Sequence, residues 1–211
     1  MPLNVSNINM GKAFAGSIQI GKAYVSDSLI YTSAPDFLYQ NGAVDGEYLK
    51  TMTGSNNWNE DGYGFSSGDF SINKDKNIYL ASGASSGYGN TYSCENKAVS
   101  NAMDLSGATH LQFIGNAHAE ASYHHWQWFY IELIDKNNKT VTLHSGEASV
   151  TGSNYVPSDI AINKTARIDN LSLDLTQVKL QLRYGYKHNA PWENWSAGGG
   201  NLTINEINVT S

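Results

Sequence analysis

The stretch Trp126–Ile134 reads WQWFYIELI and alternates between two sets of side chains. One parity is apolar and predicts a buried face, formed by Phe129, Ile131 and Leu133. The other parity carries three aromatic rings and a carboxylate, on Trp126, Trp128, Tyr130 and Glu132. Because successive side chains of a strand point to opposite faces, this period of two predicts a strand with one face in the core.

The stretch Lys179–Lys187, KLQLRYGYK, has the same period. Its apolar positions are Leu180, Leu182, Tyr184 and Tyr186. They alternate with the polar positions Lys179, Gln181, Arg183 and Lys187. This alternation predicts a second long strand with one face in water, and its polar side chains would flank the aromatic strand.

Shorter patterns of the same kind predict further strands. They include a hairpin with Phe70, Ile72, Ile78 and Leu80 on one face, and strands at Thr109–Gly115, Thr140–His144, Ile168–Leu175 and Asn201–Val209. The last strand changes parity, which predicts a bulge near Asn205-Glu206. Residues 81–93 are rich in Gly, Ser and Asn and predict a long loop.

No segment longer than a turn or two has a helical period. We therefore predict an all-β fold for residues 34–211, a two-sheet β-sandwich or jelly roll. This part also resembles carbohydrate-binding-module-like jelly rolls. The resemblance rests on the turn Asp104-Leu105-Ser106 before a strand, the loop Trp192-Glu193-Asn194 and the late amphipathic strand.

Residues 11–30 contain two decapeptides, GKAFAGSIQI and GKAYVSDSLI, that begin with Gly-Lys-Ala-aromatic and end with Ile. Each has two short apolar pieces separated by turn-forming residues, which predicts a β-hairpin-like segment. A lone hairpin is marginally stable in water, so the segment is expected to attach to something. We predict a first unit at residues 1–33 that anchors the chain or drives its oligomerisation.

The sequence GKAFAGSIQIGKAYVSDSLIY resembles repeated segments of bacteriophage virion proteins, in which they lie beside β-rich domains of head fibres, tail fibres and related appendages. The resemblance implies a virion location and docking to capsid or tail proteins. It also implies a homo-oligomer, with a trimer as the common form. The anchoring side chains would be Phe14, Ile18, Ile20, Tyr24, Val25, Leu29 and Ile30.

Composition argues against several classes of partner. The net charge is −6 and only Arg167 and Arg183 are arginines, so the clustered cations that bind nucleic acid or anionic membranes are missing. No run approaches the roughly 18 apolar residues of a membrane span. The start MPLNVSNINM lacks the basic and apolar regions of a secretory signal, which predicts synthesis in a cytoplasm.

The best candidate site is the outward face of the aromatic strand. Sugar rings stack their C–H faces on such platforms, and polar neighbours bind the hydroxyls. The candidate glycan-binding residues are Trp126, Trp128, Tyr130 and Arg183, together with Trp192 and Trp195 of a later loop. The alternative is that this face is covered by a loop, by the N-terminal segment or by another subunit.

We expect no cofactor and no catalytic residues. The adjacent His124 and His125 would point to opposite faces, so they do not predict a shared metal ion. Oxygen ligands for a structural Ca²⁺ occur at Asp45, Glu47 and Asp61, without a recognisable motif. Glu132 and Asp135 differ in parity, and Cys94 has no evident catalytic partner.

The first hypothesis is therefore a non-enzymatic phage virion protein, such as a head or tail fibre or a decoration, that is docked by its N-terminus and projects a β-sandwich for host adsorption. The alternative hypothesis is a carbohydrate-binding module that recognises cell-surface glycan. A glycosidase or lyase is the third.

Overall fold

The computed structural model describes residues 13–15, 18–20, 22–25, 28–32, 37–40, 42–44, 49–56, 58–61, 64–74, 76–121, 123–152, 155–190 and 195–211, and up to residue 32 it gives the backbone only. Strands dominate these residues, and the helical structure among them is a 3-10 turn at Leu175–Gln177. The described part of the chain contains no helix with the length and apolar character to cross a membrane.

The strands of the described residues are, in chain order, β1 (Ala13–Ala15), β2 (Ile18–Ile20), β3 (Lys22–Val25), β4 (Ser28–Thr32), β5 (Phe37–Gln40), β6 (Ala43–Val44), β7 (Thr53–Gly54), β8 (Trp58–Asp61), β9 (Gly64–Lys74), β10 (Asn77–Gly87), β11 (Thr91–Val99), β12 (His110–Ala121), β13 (His124–Asp135), β14 (Thr140–Val150), β15 (Val156–Arg167), β16 (Val178–Asn189) and β17 (Trp195–Thr210).

Two antiparallel sheets form a β-sandwich. One sheet has eight strands in the order β15-β12-β17-β10-β9-β8, and β5 and β6 are attached to the far end of β17. The other has five strands in the order β14-β13-β16-β11-β7. All pairings are antiparallel, as expected for strands that face a core on one side and water on the other.

The strand order is that of a jelly roll. When β10–β17 are numbered from one to eight, the eight-stranded sheet contains strands in the order 1-8-3-6 and the five-stranded sheet in the order 2-7-4-5. Apart from the hairpin β13–β14 within one sheet, the chain crosses to the other sheet at each step from β10 to β17, and β10 and β17 lie side by side, as in two linked Greek keys. The predicted all-β jelly-roll fold is confirmed.

The core lies between the two sheets. The five-stranded sheet contributes the predicted apolar parities of β13 and β16, and Phe129, Ile131, Leu180 and Leu182 are fully buried. The eight-stranded sheet contributes buried side chains of β10, β12 and β17, namely Ile78, Leu80, Leu111, Phe113, Leu202, Ile204 and Ile207. Burial of these side chains, at about 1.5–3 kcal/mol each, is the main force that holds the sheets together.

The two decapeptides form two separate hairpins. In the first, Ala13 pairs with Ile20 across β1 and β2; in the second, Lys22 pairs with Thr32 across β3 and β4. The predicted pairing of short extended pieces is confirmed. Among the described residues, neither hairpin joins either sheet of the sandwich. The boundary at residues 33 and 34 and the anchoring role stay predictions.

Two local predictions are wrong. The expected loop at residues 81–93 is largely strand, because β10 continues to Gly87 between β9 and β17, and β11 begins at Thr91. Pairing on both sides keeps this small, polar segment extended despite its weak β propensity. The expected strand at Ile168–Leu175 is instead a series of turns that ends at Asp174, whose carboxylate accepts a hydrogen bond from the Thr176 amide at 3.1 Å.

The predicted bulge in the last strand is confirmed. Ile114 pairs with Glu206 and Gly115 pairs with Ile204, so Asn205 is the extra residue of β17. The bulge lets both apolar phases of the strand reach the core, where Leu202 and Ile207 are fully buried.

Candidate functional site

The outer face of the five-stranded sheet brings together four of the six predicted glycan-binding residues. Strand β13 runs through this sheet between β14 and β16, so its outward side chains have neighbours on both sides. Across the β13–β16 pair, Trp126 lies beside Lys187, and Tyr130 beside Arg183. We call the outward side chains of Trp126, Trp128, Tyr130, Glu95, Arg183 and Lys187 the aromatic face.

Trp128 lies across the neighbouring strand because that strand has a glycine opposite it. Trp128 pairs with Gly185, and a side chain at Gly185 would overlap the indole ring. The ring therefore reaches over β16 to β11, where its Nε1 donates a hydrogen bond to Glu95 Oε2 at 2.8 Å. One indole thus covers the backbone of β16 and remains half-exposed on its outer side.

Arg183 contacts both Glu95 and Tyr130 within the aromatic face. Its Nε and Nη2 donate hydrogen bonds to Glu95 at 3.0 and 2.9 Å, and its guanidinium lies 4.7 Å from the centre of the Tyr130 ring. Burial works against the charge, but the hydrogen bonds to Glu95 and the carboxylate of Glu132 raise the pKa of Arg183 above its ordinary value. The residue is therefore a fixed cation among aromatic rings.

The two ends of the aromatic face differ in character. At one end Lys187 Nζ lies 5.0 Å from the centre of the Trp126 ring, a second cation–π contact. Beyond the other end Glu132 is almost fully buried and accepts a hydrogen bond from Gln181 Nε2 at 2.7 Å. The face is thus a platform of half-exposed rings with polar groups fixed beside them.

Such an arrangement suits the chemistry of a sugar. The C–H bonds of a pyranose ring pack on a flat aromatic ring, and the hydroxyls around its edge require charged or polar partners. Because Glu95 and Arg183 hydrogen-bond each other, these polar groups are already ordered without a ligand, and such order lowers the entropy cost of binding.

The other predicted site residues are not brought to this face by any described contact. Trp192 lies outside the described residues, and for Trp195 the structure describes the backbone, as the first residue of β17, but not the side chain. The anchoring positions Phe14, Ile18, Ile20, Tyr24, Val25, Leu29 and Ile30 lie on β1–β4, with their side chains outside the described set.

The sequence alone did not single out Glu95, which belongs to the aromatic face, or Gly185, which lies beneath the Trp128 ring. Glu95 follows the segment that resembled a loop, and it reaches Arg183 only because β11 pairs with β16 in the register Glu95 to Gly185. Gly185 was visible as a gap in the pattern KLQLRYGYK. A glycine in a strand often marks a close approach of another group, which was the available signal.

The described residues contain no group of three or more His, Cys, Asp or Glu side chains arranged to hold a metal ion. His124 is half-exposed whereas His125 is buried, in agreement with their opposite faces. For the suggested calcium ligands, Asp45 and Glu47 lie outside the described residues, and so does the side chain of Asp61. The calcium expectation stays untested.

Cys94 is in a setting that disfavours nucleophilic chemistry. Burial raises the pKa of its thiol despite hydrogen bonds with Asn96 and its neighbours, so the thiol is protonated near neutral pH. Its Sγ donates to the carbonyl oxygen of Ser67 at 3.1 Å.

No protein-family model matches the sequence, and no curated protein matches it at a significant level. Solved structures with some similarity include the enzymatically active domain of tailspike protein 4 of bacteriophage CBA120, with 10% identity over 84% of this chain and a TM-score of 0.32. The match spans only 22% of that chain.

Two further solved structures are carbohydrate-binding modules. TmCBM61, in complex with β-1,4-galactotriose, is 10% identical over 82% of this chain and 97% of that chain, with a TM-score of 0.27. A CBM4 structure is 12% identical over 75% of this chain and 96% of that chain, with a TM-score of 0.29. Because these TM-scores are below 0.5, the jelly-roll assignment rests on the strand order of the protein itself.

Proposed function

We propose that the protein is a non-enzymatic glycan-binding β-sandwich whose aromatic face stacks against sugar rings. The observation that carries the proposal is the indole of Trp128, laid over Gly185 and fixed by Glu95. A ring held flat against a sheet has one broad face available, which is the geometry that a pyranose needs. Tyr130 and Trp126 extend the platform along the same strand.

At the aromatic face, the geometry of Glu95 and Glu132 favours binding over catalysis. A glycosidase places two carboxyl groups on either side of the scissile bond. Here Arg183 contacts both Glu95, at 2.9 Å, and Glu132, at 3.6 Å. The guanidinium therefore occupies the space between the two carboxylates where a glycosidic bond would have to lie.

Loss of the Trp128 ring should weaken glycan binding about two- to twelvefold, the equivalent of about 0.5–1.5 kcal/mol of aromatic contact. We would screen the protein on a glycan array, titrate the strongest hits into wild type and Trp128→Ala, and assay the same glycans for cleavage products. Gly185→Ala should have a similar effect, because its methyl group displaces an indole that is still present.

The matched control is Tyr88→Asn, which removes an exposed ring that does not belong to the aromatic face. Asparagine suits the left-handed backbone at this turn, where φ is 57°. Equal affinities of Trp128→Ala and wild type would refute the proposed site, and released sugar products would refute the non-enzymatic assignment. A blank array together with an oligomer that Trp128→Ala dissociates would instead make this face a subunit interface.

The second proposed function is the role of a virion appendage. It is supported by the tandem hairpins β1–β2 and β3–β4, which the sequence repeats in the manner of phage attachment segments. The hairpins would dock the chain, as a homo-oligomer such as a trimer, on other proteins of a phage capsid or tail. The sandwich would then project outward and present its glycan-binding face to a host surface.

A further inference from the structure

A groove of about 630 Å³ crosses the outer face of the eight-stranded sheet, on the opposite side of the sandwich from the aromatic face. Its volume is within the range of pockets that hold small ligands. The strands below it are β9, β10, β17 and β12. None of the residues of the aromatic face lines it.

The floor of the groove is open because its outward positions carry almost no side chain. Gly83 pairs with Gly199, and two residues along the same two strands Ala81 pairs with Asn201. The alternate residues Leu80 and Leu202 point into the core and are fully buried. The floor therefore consists of backbone and a methyl group in the middle of a wide sheet.

One wall of the groove is a connected set of polar and aromatic groups. His118 Nδ1 is 2.7 Å from Asp159 Oδ1, and its Nε2 is 3.5 Å from Glu120 Oε2. The hydrogen bond with Asp159 raises the pKa of His118 above its ordinary value. Tyr155, which is 58% exposed, hydrogen-bonds Glu120. An exposed ring is thus held at the side of the groove by its hydroxyl.

The opposite wall comes from β9 and β10. It consists of the exposed carboxylate of Asp69, the hydroxyl of Ser67 and the half-exposed ring of Tyr79. Lysine and arginine are absent from the lining described for this groove. Its charged groups are the carboxylates of Asp69 and Glu120, with Asp159 beside them, and the His118 imidazole. The carboxylates outnumber the one titrating imidazole, so the groove disfavours anions and attracts hydroxyl protons or ammonium groups.

We propose that this groove is a second ligand-binding site and that it takes a segment of an oligosaccharide without negative charge, built from neutral or amino sugars. The backbone-and-methyl floor contacts C–H faces, the Tyr79 and Tyr155 rings border the sugar, and the carboxylates accept hydrogen bonds from hydroxyl or ammonium groups. The site is separate from the aromatic face, so the protein would have two glycan-binding sites on opposite faces of the sandwich.

The test is a glycan array with neutral, amino-sugar and uronic-acid glycans, probed with wild type and single variants. Ala81→Trp fills the groove from its floor, and Tyr155→Ala removes one wall. Thr165→Trp is the matched control, since it places the same bulky ring on the exposed edge strand β15 of the same sheet. Thermal unfolding of each variant reports whether it is folded.

We expect a set of glycans whose binding is unchanged in Trp128→Ala and Thr165→Trp. Binding of the same glycans should be weakened at least tenfold in Ala81→Trp and Tyr155→Ala. This set should contain no uronic acids. Should Ala81→Trp fail to fold, Tyr155→Ala decides, because Tyr155 is exposed and its loss leaves the core intact. A wild-type array without any hit of this pattern would overturn the proposal, and so would uronic-acid hits that Ala81→Trp removes. An array with hits that depend on Ala81 and Tyr155 but none that depend on Trp128 would support the groove and contradict the proposed site on the aromatic face.

Discussion

At the scale of single residues, both candidate sites depend on glycines, whose missing side chains leave space for other groups. Gly185 leaves the space in which the Trp128 indole lies, and the Gly83–Gly199 pair leaves the groove on the other sheet open. Any larger side chain at these positions would fill the space. The aromatic residues are evident in the sequence, but the glycines decide where the Trp128 ring lies and whether the groove is open.

His188 predicts a pH-dependent stability. It is fully buried, and neither ring nitrogen has a hydrogen-bond partner among the described residues. Burial and the neighbouring His125 lower the pKa of His188 to about 4. An unfolded histidine titrates near 6.5, so between about pH 6.5 and 4 the unfolded state binds the proton and the folded state does not. The free energy of unfolding should therefore fall by about 3 kcal/mol as the pH drops across this window.

The variant His188→Leu should lose most of this dependence. It should also be no less stable than wild type at pH 7, because it removes buried nitrogens that lack partners. The measurement is urea unfolding of both proteins at several pH values between 7 and 4, with His124→Leu as the control for a half-exposed histidine. Parallel pH profiles for wild type and His188→Leu would show that this residue is not the cause.

At the scale of elements, alternate glycines of β17 face the core on one side of the sheet and the groove on the other. Its glycines at 198 and 200 have no room for a Cβ, because the hydroxyls of Tyr186 and Tyr184 stand against them. Tyr184 Oη lies 3.0 Å from the carbonyl oxygen of His118 and 3.2 Å from Gln127 Oε1, so its single proton is shared between an acceptor on each sheet and links the two sheets. The glycine between them, Gly199, faces outward and forms part of the groove floor.

Gly200→Ala should therefore destabilise the protein by about 1–3 kcal/mol or more, since its methyl group would overlap both the Tyr184 hydroxyl and the backbone of His118. Gly199→Ala is the matched control on the same strand, because its nearest contact would be the carbonyl oxygen of Ser82 at 3.2 Å. Denaturant unfolding measures both. Equal losses for the two variants would mean that the strand tolerates no side chain here for a reason other than the core tyrosines.

At the scale of the whole molecule, we expect the hairpins to anchor the chain and the sandwich to bind glycan. Deletion of residues 1–33 should leave the strand order of the sandwich intact, because neither hairpin pairs with the described strands of its two sheets. The truncated chain should keep its cooperative unfolding and its glycan binding but no longer join virus particles. Circular dichroism, the glycan array and an incorporation assay would test the three parts, and particles that still contain the truncated chain would refute the anchor.

The long strands were predictable because their burial follows a period of two. Trp126–Ile134 and Lys179–Lys187 showed this period clearly, and the parity change near Asn205 predicted the bulge that the pairing of Ile114 and Gly115 confirms. The segment from Ala81 to Gly87 was misjudged because its composition is that of a loop. It is extended because neighbouring strands on both sides bind its backbone, which no local pattern records.

The sequence by itself determined the fold class, the two faces of the main strands and the aromatic content of one outer face, because these follow from the alternation of side chains along an extended backbone. Only the tertiary structure decided which strands are neighbours. That choice brought Glu95 to Trp128 and Arg183, and it aligned Gly83 with Gly199 beneath the groove. Contacts between residues 33, 88 and 116 positions apart depend on sheet order and register, which arise from packing the whole core rather than from any local stretch.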